Sequence, residues 1–485
     1  MVKPKFSRHT AGADAIKPTG YQYDSGMETS DIEGSRNLAA PLAGNNPESD
    51  DDDDDEELDF PGRGMSFCIL YFTTFVDMLG YGLIMPAFPK IAIEYGANGF
   101  KMGLLNSSYS TAQMIGSLIC GMLADSGSIG RRPILISSLV GSVAALAGLG
   151  FCTGFWSLFV VRTLDGGASA TVGTAQAYVA DMTKPKERAK YMGLIGASTA
   201  LGLVAGPIIG GFVYSVAGWG VTCWVAAGVS FLNLIMAFFL LKENPVVTRR
   251  KHLARLKKAS NSEKEKNSWQ LMCGVMKKDR NLLLVFVAFC FSQCGFVVFQ
   301  TVFALYGVWK FNMTTLELSY VFAGFGGAMI ISQVLFTGPM TKLLGERLTV
   351  MVGALLRGVG LAAVIYMPTN AWTNFCVITI AVTGSLVSPC LTAMVSMFSD
   401  KKTHGAILSV NQLFGALARG IAPLIAGVVY DINKDYSWYY CGAGSMFIVF
   451  LSLIPCRLPI KDTQIDAKLL EKHRRSSSHI QANIK

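Results

Sequence analysis

Apolar runs as long as a bilayer is thick constrain this chain more than any other feature. A helix needs about 20 apolar residues to cross the hydrocarbon core. Twelve such runs fall at about 66–88, 102–122, 133–153, 156–181, 191–215, 219–241, 281–304, 316–339, 349–367, 371–397, 405–430 and 436–456. Over the 485 residues, 51% are hydrophobic and only 15% charged. A soluble domain carries about 25% charged residues, and the mean hydropathy here is +0.40. The fold class read from this is an all-α membrane protein with twelve transmembrane helices. The 50 glycines suit membrane helices whose backbones approach closely.

The formal net charge of +9 hides a segregation of sign. Acid collects in SDDDDDDEELD (49–59) and base in short loops. That argues against nucleic acid, which calls for a basic face on a folded domain. Eleven cysteines, most inside apolar runs, read as small buried hydrophobes. No metal spacing or cofactor motif is legible, and no nucleophile–base pair or phosphate loop marks an enzyme. The polar first sixty-odd residues leave the first span as the targeting signal.

Lysine and arginine set orientation through the positive-inside rule. One set of loops holds Arg131, Arg132, Lys184, Lys186, Arg188, Lys190, Lys342, Arg347, Lys401, Lys402 and the stretch RRKHLARLKK. The opposite set offers Lys90, Lys101, Lys310 and Lys434. Both termini and the long middle loop are therefore expected in the cytoplasm, whether at the plasma membrane or at an endomembrane such as vacuole or endosome. The expected organisation is a disordered acidic tail (1–64), a six-helix half (65–242), a basic linker (243–280), a second six-helix half (281–458) and a tail (459–485). The halves echo each other: AGPIIGGFVYS (205–215) resembles IAPLIAGVVYD (421–431). Duplicated six-span halves are the trace of a transporter that rocks around a midplane site.

Few ionisable residues interrupt the spans: Asp77, Arg162, Asp165, Arg357 and Arg419. A charge at membrane depth costs about 2.5–3.5 kcal/mol on insertion scales, so each is expected to face the interior, water or a partner. Arg162 and Asp165 share a helix face at i, i+3; one reading has them neutralising each other while Asp77 hydrogen-bonds to a neighbour. The functional reading makes Asp77 a protonation site. Desolvation favours its neutral form, a nearby arginine its carboxylate, and a balanced group can exchange protons as the cavity changes sides. No histidine lies within a run to take that role. Arg357, near the cytoplasmic end of span nine, is expected to snorkel. Gln293, Gln300, Asn411 and Gln412 either line a substrate path or hydrogen-bond between helices, and the deeper Arg419 can pair with a substrate anion or with a carboxylate of another span.

At this point the chain resembles the major facilitator superfamily, and within it the twelve-span drug/proton antiporters that include the tetracycline antiporters. Asp77-Met-Leu-Gly80-Tyr-Gly82-Leu-Ile-Met-Pro86-Ala-Phe-Pro89 is similar to that group's span-one stretch DxxGxGLIxPxxP. Tyr109 and Gln113 match a cavity-lining Y-x-x-x-Q pair. Gly121-Met-Leu-Ala-Asp125-Ser-Gly-Ser-Ile-Gly130-Arg131-Arg132 resembles the loop signature GxLADRxGRRP, with Ser126 in place of arginine and two extra residues before Gly130. The resemblance implies a charge-relay latch there. Arg162 to Gly166 resembles the RxxxG motif of span four, whose arginine is implied in proton transfer. Gly202, Gly206, Pro207, Gly210 and Gly211 resemble the antiporter motif of span five. Independently of the family, glycines clear a groove for a close helix crossing, and Pro207 kinks its helix.

The reading that results is a secondary active transporter of small organic solutes, working by alternating access with proton antiport. Asp77, Arg162 and Asp165 handle the proton. Tyr109, Gln113, Gln293, Gln300, Asn411, Gln412 and Arg419 wall the cavity. Gly121, Asp125, Gly130, Arg131 and Arg132 gate it. Its partners are the solute, protons and the lipid bilayer; a monomer is expected, with no cofactor, no metal and no nucleic acid. The rivals are a proton symporter or uniporter of a nutrient or metabolite, and a receptor or scaffold that keeps the transporter fold.

Overall fold

The computed structural model describes residues 63–125, 130–183, 185–242, 280–398 and 404–456. The acidic tail, the middle linker, the C-terminal tail, Lys184, Lys401, Lys402 and the loop residues 126–129 lie outside the described residues, as does the side chain of Asp125.

Proline and glycine set most of the helix limits. Span one is Arg63–Ile84, a turn at Pro86, and the short helix Phe88–Glu94 with Pro89 in its first turn. Spans two and three are Gly99–Asp125 and Arg131–Gly150. Span four, expected as one helix, is two: Phe155–Ala168 and Thr171–Asp181. Spans five and six form Pro185–Leu240, broken at Gly218 (φ 77°, ψ −175°). Spans seven and eight are Arg280–Phe311 and Thr315–Leu335. A short helix and span nine form Thr337–Ala363, broken at Gly345 (φ 74°, ψ 164°). Gly218 and Gly345 sit at positive φ, which glycine adopts without the Cβ penalty. Spans ten and eleven are Asn370–Met397 and His404–Ile432. Span twelve begins as a π-helical turn, Ser437–Ala443, and continues as Gly444–Leu453.

These helices form two six-helix halves whose construction repeats. Arg132, opening span three, donates from Nη2 to the Phe238 carbonyl at the end of span six (2.5 Å). Arg347, opening span nine, donates from Nε to the Leu453 carbonyl at the end of span twelve (3.0 Å) and from Nη2 to that of Ile454. In each half an arginine thus satisfies carbonyls that a helix C-terminus leaves unpaired. The outward surface carries large apolar side chains such as Phe212, Phe239, Val334 and Phe447, as hydrocarbon surroundings require.

Between halves, span two packs on span eleven, span five on span eight, and span seven touches spans one and two. The contacts at backbone distance lie at one end, carrying Gly99, Thr315 and Asp431. There a Cβ at Gly99 would lie 2.6 Å from the Gly427 carbonyl oxygen, and one at Gly103 would overlap that of Pro423. Asp431 of span eleven accepts from the backbone N–H groups of Gly99 (2.7 Å) and Phe100 (2.8 Å), capping span two from the other half. Ser107 donates to the Gly420 carbonyl, and Asn106 to Thr301 at 3.3 Å. Toward the opposite end, which carries Arg131 and Arg347, span two parts from span eleven, and Leu118 is 54% exposed.

Candidate functional site

The divergence of the halves leaves a cavity of about 650 Å³. Asp77, Met78, Ser110, Gln113, Ser169 and Thr199 line it from the first half, and Leu408, Gln412 and Arg419 from the second. Of the sequence-predicted wall residues, Gln113, Gln412 and Arg419 stand on it. Tyr109 lines a smaller adjoining pocket with Asp77, Tyr81, Arg162 and Asp165. Asp77 lines both spaces.

The break in span four builds this region. Ser169 and Ala170 leave the helical path, which frees backbone groups at membrane depth, where an unsatisfied group costs several kcal/mol. Ser138 of span three repairs the gap. Its hydroxyl donates to the Ala168 carbonyl at 2.5 Å and accepts from the Ala170 N–H at 3.1 Å. The Ser138 and Thr171 hydroxyls lie 3.0 Å apart. Ser169 receives Gln113 Nε2 at 3.1 Å and the Tyr109 hydroxyl at 3.3 Å. The Y-x-x-x-Q pair therefore meets at one serine of a broken helix. Sequence reading missed Ser138, Ser169 and Thr171. The signal was GGASATVGT (166–174), a small, polar stretch with few large apolar side chains, inside a run read as one helix.

Arg162 and Asp165 form a buried ion pair, Nη1 to Oδ2 at 2.8 Å. Both are under 10% exposed. The guanidinium also stacks over Tyr109 (4.4 Å), Phe88 (4.8 Å) and Tyr81 (5.9 Å). Cation–π contact of this kind strengthens when desolvated. Asp77, by contrast, makes no ion pair among the described residues and keeps partial exposure through the cavity.

Gln300 donates to the Tyr81 hydroxyl at 2.7 Å, tying span seven to span one. Gln300, Gln293 and Asn411 are not among the residues that line either space. Asn411 is fully buried with both amide atoms unpartnered. Arg357 departs from its expected snorkelling: it is 2% exposed, lies over Phe296 at 5.8 Å, and its Nε and Nη2 have no partner. Gly384 of span ten leaves room beside its guanidinium, so the side chain turns inward.

The span-five glycines lie along span one. A Cβ at Gly202 would overlap the Phe75 carbonyl oxygen, one at Gly206 would lie 2.7 Å from Gly82 Cα, and one at Gly210 would overlap the Leu83 carbonyl. A Cβ at Gly82 of the span-one stretch would lie 2.9 Å from Gly206 Cα and from the Pro207 ring. Gly211 turns the other way, onto Ser319 of span eight. At the start of span three, Arg131 Nε pairs with Asp181 at 3.1 Å, joining spans three and four. A Cβ at Gly121 would meet nothing within 4 Å, and Gly130 is the N-cap of span three.

The profile of the Major Facilitator Superfamily matches residues 70–335 and 309–480. The chain belongs to that superfamily. Multidrug resistance protein 2 of Bacillus subtilis (strain 168) is 29% identical over 398 residues, 80% of this chain and 94% of its own. Tetracycline resistance protein, class C, of Escherichia coli is 26% identical over 366 residues, 75% and 89% of the two chains. Quinolone resistance protein NorA of Staphylococcus aureus (strain MRSA252) is 26% identical over 393 residues, 80% and 95%. Among solved structures, the human organic anion transporter MFSD10 (TETRAN) matches with TM-score 0.58 and 20% identity, covering 81% of this chain and all of that one. A bacterial homolog of the lysosomal transporter Spinster, inward-facing and unoccupied, matches with TM-score 0.64 and 12% identity over 82% and 96%. Those two likenesses bear on the fold, which is that of the Major Facilitator Superfamily. This member is a secondary transporter and not an enzyme.

Proposed function

We propose that the protein exports small organic solutes in exchange for protons, with Asp77 as the proton site. The observation that carries this reading is the position of Asp77. It lines the solute-sized cavity and the buried Arg162–Asp165 pocket together, and it forms no ion pair among the described residues. The role of Arg162 follows from its cage: pinned by Asp165 and the rings, it is a fixed positive charge on the pocket that Asp77 also lines. Tyr109, Gln113 and Ser169 hold that wall in shape, and Gln412 and Arg419 face the solute.

The basic loop residues Arg131, Arg132, Arg188 and Arg347 sit at the splayed end, which supports a cytoplasmic mouth and cytoplasmic termini. The conformation is then the one that loads solute from the cytoplasm, and the relatives named for multidrug, tetracycline and quinolone resistance support export. The decisive experiment is gradient-driven transport in proteoliposomes, wild type against Asp77→Asn. The variant should lose all dependence on the pH gradient while still equilibrating solute by counterflow. Full gradient-driven accumulation by the variant rejects the proposal.

A further inference from the structure

The cavity is bipolar. Among the described residues, Asp77 and Arg419 are its only ionisable lining residues, one from each half. Arg419 has no ion pair or hydrogen-bond partner among the described residues, and the two do not pair with each other. A guanidinium stays charged at any relevant pH, and at membrane depth an unpaired one is costly. The cavity therefore faces a permanent positive charge from the second half and a switchable negative one from the first. The rest of the wall is neutral: hydroxyls, the amides of Gln113 and Gln412, and the thioethers of Met78 and Met114 beside leucine.

Resting on the exchange reading above, we infer that the solute is amphoteric: an amine docks on Asp77 while an anionic group, carboxylate or acidic enol, docks on Arg419. The chemistry separates this class from its rivals. A simple cation competes with the proton for Asp77 but meets Arg419 as a like charge. A simple anion pairs with Arg419, yet it binds best when Asp77 is protonated, so it travels with the proton rather than against it. An amphoteric molecule satisfies Arg419 through two parallel hydrogen bonds and displaces the proton from Asp77 through its ammonium. No covalent step is involved; the proton leaves to water through the cavity mouth. Because each charge belongs to a different half, such a solute also bridges the two bodies that must rock.

The test uses matched triplets in proteoliposomes with an imposed pH gradient: fluoroquinolones bearing a secondary piperazine amine and a carboxylate, their esters or amides, which leave only the cation, and their N-acyl derivatives, which leave only the anion. The amphoteric form should exceed the cation-only form at least tenfold in kcat/KM, the worth of a charge-assisted pair. In Arg419→Gln that ratio should fall to about one, and Arg419→Lys should restore part of it. Residual proton-coupled exchange by Arg419→Gln shows that the variant is folded. If cation-only forms are exchanged as well as their amphoteric parents, or the ratio survives Arg419→Gln, the inference fails while proton-coupled export stands. If no form is exchanged against protons in the wild type, both readings fall together.

Discussion

At the scale of single residues, two carboxyls that line one pocket from different helices have been given different duties by their surroundings. Asp165 is locked to Arg162 at 2.8 Å, while Asp77 lines the cavity and forms no ion pair among the described residues. Removing one member of a buried pair strands the other, at a cost of about 3–5 kcal/mol, whereas replacing both by apolar residues is often neutral. Asp165→Ala should therefore lower thermal stability in detergent markedly, and Arg162→Met/Asp165→Leu should recover it. The double variant should still fail in proton-driven transport, because the fixed charge on the pocket that Asp77 lines is gone. Recovery of both stability and coupling would remove Arg162 from the mechanism.

At the scale of elements, the crossing of spans one and five is a backbone contact. Gly202, Gly206 and Gly210 recur every four residues and place one helical stripe against Phe75, Gly82 and Leu83. Side chains cannot interpose there without moving main chain, and overpacking of that kind costs about 1–3 kcal/mol. Gly210→Leu should lower folded yield and unfolding temperature, measured by fluorescence-detected size exclusion. Gly121→Leu, at a position where a Cβ would meet nothing within 4 Å, should leave both unchanged. Equal tolerance at the two sites would mean that the crossing is not close in the membrane.

At the scale of the whole molecule, the joints between halves are built alike but closed differently. Span eight caps itself: Thr314 accepts from Glu317 N–H at 3.3 Å, and Glu317 accepts from Thr314 N–H at 2.7 Å. Span two caps only part of its first turn, through Asn98 and Lys101 N–H at 2.9 Å, and borrows Asp431 for Gly99 and Phe100. Ser215, the residue matching Asp431 in the sequence echo, bonds within its own helix instead. Parting the halves at that end therefore uncaps span two but leaves span eight intact. A lost N-cap is worth about 1 kcal/mol, roughly a fivefold change in a two-state ratio. Asp431→Ala should shift the population by that factor toward the form parted at the Gly99 end. Spin-label distances between spans two and eleven at that end would register it, and an unaltered distribution would show that Asp431 does not bias the equilibrium.

Apolar run length by itself determined the number of crossings, since a chain in hydrocarbon has few ways to satisfy its backbone. It also exposed the costly residues: a carboxyl or guanidinium in such a run announces itself, and the Asp77, Arg162, Asp165 and Arg419 positions were all visible before any coordinates. The short motifs carried the superfamily. What tertiary structure decided was pairing. Asp165 and Asp77 are both acids in apolar runs, and only the packing of spans one, two and four tells which one meets Arg162. The interruption of span four was hidden because glycine, serine and threonine at membrane depth are compatible with a continuous helix until a neighbour such as Ser138 is placed to receive the freed groups. Arg357 was misjudged because depth along a span says nothing of azimuth, and the space left by Gly384 lies on another helix. A sequence sets which charges enter the membrane; the distances between helices set which of them remain free to act.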